Sequence, residues 1–170
     1  MLGQRDQEDD TGAALSSLYR AHVLILTRLA YVMLGDRAAA EDVVQDAFIG
    51  LHRNWHKLSD QAKAPQYLRS SVLNGCRNAL RRSRRSSIEA DPEATVGSAE
   101  AAALAGEEQR RIMQAVRSLP HRQREVLLLR FYLQEPEVEI ASLMGIRQST
   151  VRSTTHRALA ELGRILGETT

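Results

Sequence analysis

Apolar side chains recur at helical spacing through the first half of the chain. They fall every three or four residues from Leu15 to Met33, and the pattern stops at Gly35, which predicts a helix that ends at a glycine. Asp36 is a suitable N-cap for a second helix with one apolar and one polar side. Pro65 suits the first turn of a third helix, which continues into a run of arginines. The first half therefore predicts three consecutive helices.

The helical period is lost after Arg85 and returns near residue 106. The residues in between are small and acidic, which is typical of a linker at a domain boundary. Beyond it, Pro120 and Pro136 suit the first turns of helices, and a glycine turn at residues 144–146 joins the last two helices into a helix-turn-helix. That motif reads double-stranded DNA in many unrelated proteins, although structural helix pairs also contain it. The helices are predicted at 106–118, 120–133, 136–144 and 149–166.

Composition supports a helical protein. Ala, Leu, Arg, Glu and Gln dominate the 170 residues, aromatic residues make up only 4%, and runs of β-branched residues bounded by turn signals are missing. We predict an all-α fold of two small helical domains joined by a flexible acidic linker. The predicted boundaries are a disordered tail at 1–12, a first domain at 13–86, the linker at 87–105 and a second domain at 106–170.

Charge is segregated along the chain, although the formal net charge is only +2. Residues 61–88 contain Lys63 and six arginines but neither Asp nor Glu, whereas residues 89–109 contain six acidic residues. This order suggests a nucleic-acid surface followed by an acidic connector. A basic run of this kind is also found on ordinary solvated surfaces.

The single cysteine and the first residues bear on the cellular compartment. Cys76 has no second cysteine for a disulfide and no zinc-ligand pattern around it, so we expect a reducing compartment. The first ten residues are acidic and polar, unlike a secretion signal, and no apolar run approaches the roughly 20 residues of a membrane span. A cytoplasmic protein without membrane insertion is the expectation.

An acidic and amide patch lies on the polar side of the second helix. Asp42 and Asp46 are spaced i, i+4, with Gln45 between them. Like charges at this spacing mildly destabilise a helix, so a partner with basic residues would explain the pattern. A solvated polar face explains it equally well, and the residues alone leave both readings open.

The last helix carries the residues suited to contact DNA. Its N-terminal half leaves seven polar side chains away from the expected packing side, where a recognition helix meets base edges. Arg and Gln make bidentate contacts with guanine and adenine, while Ser and further Arg residues more often hold phosphates. The candidates are Arg147, Gln148, Ser149, Arg152, Ser153, His156 and Arg157.

Signals for catalysis or metal binding are weak. His52 and His56 are spaced i, i+4, but a third ligand is not apparent nearby, whereas a catalytic zinc normally has three protein ligands. A nucleophile elbow, a glycine-rich phosphate loop and a metal motif are all missing. We therefore predict neither an enzyme nor a metal or cofactor site.

Three segments carry more specific motifs. Residues 40–48 read Ala-Glu-Asp-Val-Val-Gln-Asp-Ala-Phe, residues 67–82 contain Tyr-Leu-Arg, Asn-Gly-Cys-Arg and Arg-Arg, and residues 119–126 read Leu-Pro-His-Arg-Gln-Arg-Glu-Val. Together they resemble regions 2.2, 2.3–2.4 and 4 of the group IV, extracytoplasmic-function sigma factors of bacterial RNA polymerase. The resemblance covers residues 15–166, and the spelling around Asn74 is similar to the actinobacterial SigE-like subgroup.

The resemblance implies a promoter-specificity subunit without a catalytic residue or a cofactor. Its implied partners are core RNA polymerase, through the β′ clamp helices and the β flap, promoter DNA and an anti-sigma factor. The loop at 58–63 and the third helix would recognise and open the −10 element, and the last helix would read the −35 element. The implied clamp-binding residues are Asp42, Gln45, Asp46 and Phe48, and the implied −10 residues are Asn74, Arg77, Asn78, Arg81 and Arg82.

The chain departs from the family pattern at several positions. Tyr67 stands where Trp is common, and Asn78 where an acidic residue is common. Arg147 replaces the usual Ser cap of the recognition helix. Thr154 stands where Arg or another polar residue is usual, and Thr155 stands where an apolar residue is usual. From these last two positions we predict a weaker or altered −35 contact.

Two rival interpretations remain on the sequence alone. A free-standing helix-turn-helix regulator that binds operators without polymerase explains the second domain, but it leaves the acidic patch and the arginine helix without a role. A helical adaptor without nucleic-acid binding would show no salt-dependent affinity for DNA, whereas the other two would lose affinity steeply as the salt concentration rises.

Overall fold

The computed structural model describes residues 2–89 and 106–168, with side chains from 11 to 85 and from 106 to 167. Every regular element in these ranges is helical, which confirms the all-α prediction. The chain divides into two units, Met1–Ala94 and Thr95–Thr170. The helices are α1 Leu2–Leu34, α2 Arg37–Asn54, α3 Ala64–Glu89, α4 Glu107–Ser118, α5 His121–Leu127, α6 Glu137–Met144 and α7 Gln148–Glu168.

The break between α1 and α2 has the chemistry that the sequence predicts. Gly35 has a φ of 75°, in the left-handed region that a residue without Cβ adopts most easily. Asp36 then caps α2, because its Oδ1 accepts a hydrogen bond of 2.8 Å from the Ala39 amide. The chain therefore reverses within two residues, and α1, α2 and α3 pack against one another. The largest fully buried side chains in this unit are Leu26, Leu29, Met33, Leu51, Leu68 and Leu73.

The start of α1 differs from the expected disordered tail. The helix begins at Leu2, so the described residues 2–12 continue α1 toward its N-terminus. The segment contains no proline, and once a helix is nucleated each added residue gains one hydrogen bond. Propagation from the packed part of α1 accounts for the extension, which hydrophobic periodicity did not reveal.

Helices α2 and α3 approach closely at one glycine. A Cβ built on Gly75 would lie 2.6 Å from Cγ1 of Val43, closer than real Cβ contacts come. Gly50 on α2 lies similarly close to α3, since its Cβ would lie 3.2 Å from the hydroxyl of Tyr67. The contact between these two helices therefore depends on the absence of a side chain at Gly75.

The second unit contains the helix-turn-helix. Gly145 ends α6 with a φ of 63°, and the Ile146 amide donates to the Ala141 carbonyl at 3.0 Å, the bond expected for a glycine C-cap. The π-helical turn Leu128–Tyr132 interrupts the helix that was predicted at 120–133. Pro120 and Pro136 stand one residue before α5 and α6, as N-caps rather than in the first turn. The core contains Leu119, Val126, Leu129, Ile140, Val151 and Ala158.

One arginine ties α4 to α5. Arg124 donates hydrogen bonds to the carbonyls of Arg117 and Leu119 at the end of α4. The last carbonyls of a helix lie beyond its internal hydrogen-bond ladder, so a guanidinium that reaches two of them stabilises this end of α4. Burial, assisted by the nearby charge of Arg117, lowers the pKa of Arg124 below its ordinary value. Arg124 therefore fixes the junction that precedes the helix-turn-helix.

Substitution of Gly75 by alanine tests the α2–α3 packing. We expect Gly75→Ala to lower the free energy of unfolding by about 1–3 kcal/mol, because the new methyl group overlaps Val43 and forces the helices apart. Urea unfolding followed by helical circular dichroism measures the change. Adding Val43→Ala should recover part of the loss.

Gly163→Ala is the matched control, because a Cβ at this exposed position on α7 meets nothing within 4 Å. We expect it to raise the free energy of unfolding by about 0.5–1 kcal/mol, because alanine has a higher helix propensity than glycine. If Gly75→Ala unfolds with its midpoint at the same urea concentration as wild type, the close approach of α2 and α3 at Gly75 is contradicted.

Candidate polymerase and nucleic-acid interfaces

An exposed ridge runs along the outer side of α2. Asp42, Gln45 and Asp46 are all exposed, as predicted, while Val44, Ala47 and Leu51 on the opposite side are buried. Ile49 is also 42% exposed and lies three or four residues beyond Gln45 and Asp46, so it shares their surface. We call these four residues, Asp42, Gln45, Asp46 and Ile49, the acidic ridge. Its apolar member, Ile49, was missed by sequence reasoning, which assigned this helix side only polar residues.

Phe48 lies beside the ridge rather than on it. Its ring packs against Tyr19 of α1, with centroids 5.0 Å apart and planes tilted by 60°, a favourable aromatic arrangement. Both rings line a groove of about 530 Å³ between α1 and α2, together with Val23 and Ile49. Gln45 and Ile49 of the acidic ridge line the same groove, so it continues the ridge surface, and Tyr19 is a further candidate that the sequence did not indicate.

One of the two histidines that are spaced i, i+4 lies at the same groove. His52 is exposed on α2 and lines the groove, whereas His56 is exposed in the short 3₁₀ turn Trp55–Lys57 that follows. In the described part of the chain, His, Cys, Asp and Glu residues form no group of three that could hold a metal ion.

Helix α3 presents a row of asparagines and arginines. The Arg77 guanidinium donates to Oδ1 of Asn74 at 2.8 Å, and Arg81 donates in the same way to Asn78, one turn later. These bonds hold two guanidinium groups against their own helix, which reduces the rotamer freedom that binding would otherwise remove. We call the predicted −10 residues the Asn–Arg face: Asn74, Arg77, Asn78, Arg81 and Arg82.

A groove of about 710 Å³ lies between α2 and α3. Hydroxyls of Tyr67 and Ser71 line it together with the carboxylate of Asp46, and Gly50 and Gly75 lie where the helices approach. The groove therefore offers hydroxyl, amide, carboxylate and guanidinium groups to one bound molecule. The members of the Asn–Arg face that line it are Asn74, Asn78, Arg81 and Arg82, and Arg85 lines it as well.

The structure brings Asp46 into two predicted sites. It belongs to the acidic ridge by its exposure and to the α2–α3 groove by its position. Sequence reasoning assigned it only to polymerase binding, because spacing along one helix does not show which neighbouring helix a side chain faces. Asp42 does not line this groove, so it represents the ridge alone.

The polar face of α7 has the predicted composition. Arg147 stands directly before the helix, and its carbonyl accepts from the amides of Thr150 and Val151 at 2.9 and 3.0 Å. An arginine therefore occupies the position where Ser, Thr, Asn or Asp is preferred. All seven candidates are exposed: Arg147, Gln148, Ser149, Arg152, Ser153, His156 and Arg157.

The packing side of α7 includes Thr154, from which an altered −35 contact was predicted. Thr154 is buried to 8% exposure beside Val151 and Ala158, whereas the apolar Leu159 is 45% exposed. The helix is rotated so that residues 151, 154 and 158 face the core. Thr154 therefore cannot change a DNA contact directly, and its substitution by arginine would bury a charge and report on folding.

A carboxylate from α6 reaches the recognition face. Oε2 of Glu137 accepts from Nε of Arg152 at 2.8 Å, and its Oε1 accepts from Arg130 at 3.2 Å. The hydrogen bond from Arg152 is the main cause that lowers the pKa of Glu137 below its ordinary value, and the charges of both arginines act in the same direction. Sequence reasoning missed Glu137, since it lies fifteen residues before Arg152.

Comparison with known proteins assigns both units. The family description "Sigma-70 region 2" matches residues 18–86, and "Sigma-70, region 4" matches residues 109–162. An RNA polymerase sigma-E factor of Streptomyces avermitilis is 31% identical over 140 residues, which cover 81% of this chain and 76% of that protein. The chain belongs to the sigma-70 family of RNA polymerase sigma factors.

Further relatives agree with this assignment. The ECF RNA polymerase sigma factor SigM of Mycobacterium tuberculosis is 29% identical over 162 residues, which cover 91% of this sigma factor and 78% of SigM. The sigma factor RpoE of Bartonella quintana, solved in complex with the anti-sigma factor NepR, has a similar fold with a TM-score of 0.64. It is 20% identical and aligns over 96% of this chain and 98% of its own. The extracytoplasmic-function resemblance is thereby confirmed.

Region 2 of the sigma factor contains the acidic ridge and the Asn–Arg face, and region 4 contains the helix-turn-helix. None of the described helices combines the length and apolarity needed to span a lipid bilayer.

The Glu137 ion pairs predict a pH dependence of stability. Because the folded pKa of Glu137 is lowered, its contribution to stability is present above the ordinary value of 4.5 and is lost as the pH falls through the folded pKa. We expect wild type to melt at a higher temperature than Glu137→Gln at neutral pH. The difference should shrink as the pH falls below 4.5.

Glu161→Gln is the control for removal of an ion-paired carboxylate elsewhere in the second unit, since a hydrogen bond from Arg164 of α7 likewise lowers the pKa of Glu161. A melting difference for Glu137→Gln that persists unchanged at acid pH would contradict the assigned ion pairs.

Proposed function

We propose that this sigma factor binds core RNA polymerase through the acidic ridge, recognises and opens the −10 element along the Asn–Arg face, and reads the −35 element with α7. The observation that carries the proposal is the pairing of α2 and α3. One helix of this pair exposes carboxylates, and the other exposes arginines beside a groove of about 710 Å³. Two neighbouring surfaces of opposite charge suit a protein that binds another protein and DNA at the same time.

The acidic ridge suits a basic helical partner such as the β′ clamp helices. Asp42 and Asp46 supply charge that steers association, and Ile49 supplies apolar area beside them. An apolar contact surrounded by charged groups is the usual arrangement of a protein interface. Phe48 and Tyr19 extend the apolar part of this surface into the α1–α2 groove.

The α2–α3 groove suits nucleotides that have left the duplex. Opening a base pair costs a few kcal/mol, which a protein offsets by holding the backbone on arginines and the unpaired base in a polar pocket. Arg81, Arg82 and Arg85 line the groove for phosphates, while Asn74 and Asn78 have amide groups that match base edges. The loop at 58–63 before α3 remains a further candidate for −10 contact.

The exposed face of α7 suits the major groove. Its seven polar residues supply arginine, glutamine and serine groups, and the same helix packs inward through Val151, Thr154 and Ala158. Phosphodiester chemistry then remains with core polymerase, and we place the protein in the cytoplasm, where that enzyme acts. An anti-sigma factor is a further proposed partner, supported by the complex of the Bartonella quintana relative.

The ridge is tested by reversing one charge. We expect Asp42→Arg to weaken binding to sigma-free bacterial core RNA polymerase by at least about tenfold, because it sets an arginine against a basic partner. Co-elution over a concentration series measures the affinity. Glu108→Arg is the matched control, since it makes the same change at an exposed carboxylate of α4 and should leave binding near wild type. Equal binding by Asp42→Arg and wild type would exclude the ridge as the polymerase contact.

The groove is tested by two neighbouring arginines. Arg82 lines the groove and Arg84 does not, although both are exposed on α3 and carry the same charge. In holoenzyme on a promoter fragment, Arg82→Ala should reduce permanganate reactivity of unpaired thymines by about tenfold. Arg84→Ala should leave opening close to wild type. At most it should make the slope of log affinity against log salt concentration shallower, by about 0.9 for each phosphate that the protein no longer neutralises. If the two variants open DNA equally, the groove does not hold the opened strand.

A further inference from the structure

Glu137 occupies both of its carboxylate oxygens with arginines from different elements. One oxygen accepts from Arg130 of the π-helical turn, and the other accepts from Nε of Arg152 on the recognition face. The Glu137 side chain is 26% exposed, whereas that of Arg152 is 66% exposed. The carboxylate is therefore the sheltered member of the group, and the guanidinium of Arg152 extends into solvent from it.

We infer that Glu137 is a positioning residue for Arg152 and that this pair reads one guanine of the −35 duplex. The inference rests on the proposed function, in which α7 enters the major groove. A guanidinium has five N–H donors in a rigid fork, so a bond from Nε leaves the terminal nitrogens to donate elsewhere. Two such donors match O6 and N7 of guanine, the commonest specific arginine contact in the major groove.

Positioning follows from the order in which the bonds form. A free arginine side chain has many rotamers, and fixing one of them opposes binding. Glu137 fixes Arg152 before DNA arrives, and Arg130 in turn fixes Glu137 from the opposite oxygen. The first residue of α6 thus determines the orientation of a side chain on α7, across the turn of the helix-turn-helix.

The competing role for Glu137 is to neutralise the charge of the two arginines. This role predicts a different effect of Glu137→Gln on DNA binding. One carboxylate between two guanidinium groups leaves one positive charge, so removal of Glu137 raises the net charge of this surface. If the carboxylate only neutralised, Glu137→Gln would bind every duplex more tightly and with a steeper salt dependence. Positioning predicts instead that preference for one base is lost.

The test uses the full chain in holoenzyme with bacterial core RNA polymerase and a pool of duplexes randomised across the upstream half of the promoter. Sequencing of bound and unbound duplexes gives the enrichment of each base at each position. Wild type should enrich G at one position that Arg152→Ala no longer distinguishes. Glu137→Gln should lower that enrichment by about tenfold, within the range of a bidentate contact. When Arg152→Ala is already present, Glu137→Gln should cause no further change in G enrichment.

Arg130→Gln is the second variant, since it removes the outer support of Glu137 and lowers the net charge instead of raising it. Loss of the same base preference in both variants, despite opposite charge changes, supports positioning. Melting temperatures at neutral pH verify that both variants fold.

Two results would overturn the inference. Unchanged G enrichment in Glu137→Gln, while wild type discriminates, would show that Arg152 needs no positioning. A wild-type holoenzyme that enriches no upstream sequence would reject the proposed −35 reading, and the inference with it.

Discussion

The close packing of α2 against α3 is the constraint on which the first unit depends. Gly75 leaves room for Val43, and a Cβ there would lie only 2.6 Å from that side chain. Because the helices meet at this point, Asp46 of α2 lines the same groove as Tyr67, Asn74 and the arginines of α3. A larger residue at the contact would separate the carboxylate side of the groove from the guanidinium side. The proposed −10 groove, and the position of Asp46 in it, depend on this one contact.

The acidic ridge and the α2–α3 groove share helix α2, so a substitution on this helix can change both surfaces. Asp46 lies on the acidic ridge and in the α2–α3 groove, so its substitution changes two surfaces at once. Asp42 reports on the ridge without lining the groove. In region 4, Arg152 likewise belongs to an exposed face and to an ion pair with α6. Loss of function on substitution of Asp46 or Arg152 can therefore be assigned to one surface only after a second variant, which changes that surface alone, has been measured.

Features that depend on neighbouring residues along the chain were predictable. The Gly35 stop and the Asp36 cap follow from backbone geometry and a local hydrogen bond, and the Gly145 turn follows in the same way. The exposure of Asp42, Gln45 and Asp46 and of the polar face of α7 follows from helical periodicity. These features cover most of the fold and the outline of the candidate sites.

Features that depend on distant residues were not predictable. The inward position of Thr154 depends on how α7 rotates against the core, which periodicity leaves uncertain by one residue. The Glu137–Arg152 pair joins two helices, and the α2–α3 groove joins two more, so spacing within one helix reveals neither. The helical start of α1 depends on propagation from a packed segment rather than on its own pattern.

Transcription initiation in vitro shows whether both units of this sigma factor recognise promoter DNA together with core RNA polymerase. Core RNA polymerase with and without this sigma factor would transcribe fragmented genomic DNA of an actinobacterium, and the 5′ ends of the transcripts would be sequenced. We expect the sigma factor to create start sites that share two upstream motifs at a fixed spacing, one for each unit. Start sites that match those of core polymerase alone, or a single motif bound equally well without polymerase, would contradict this expectation.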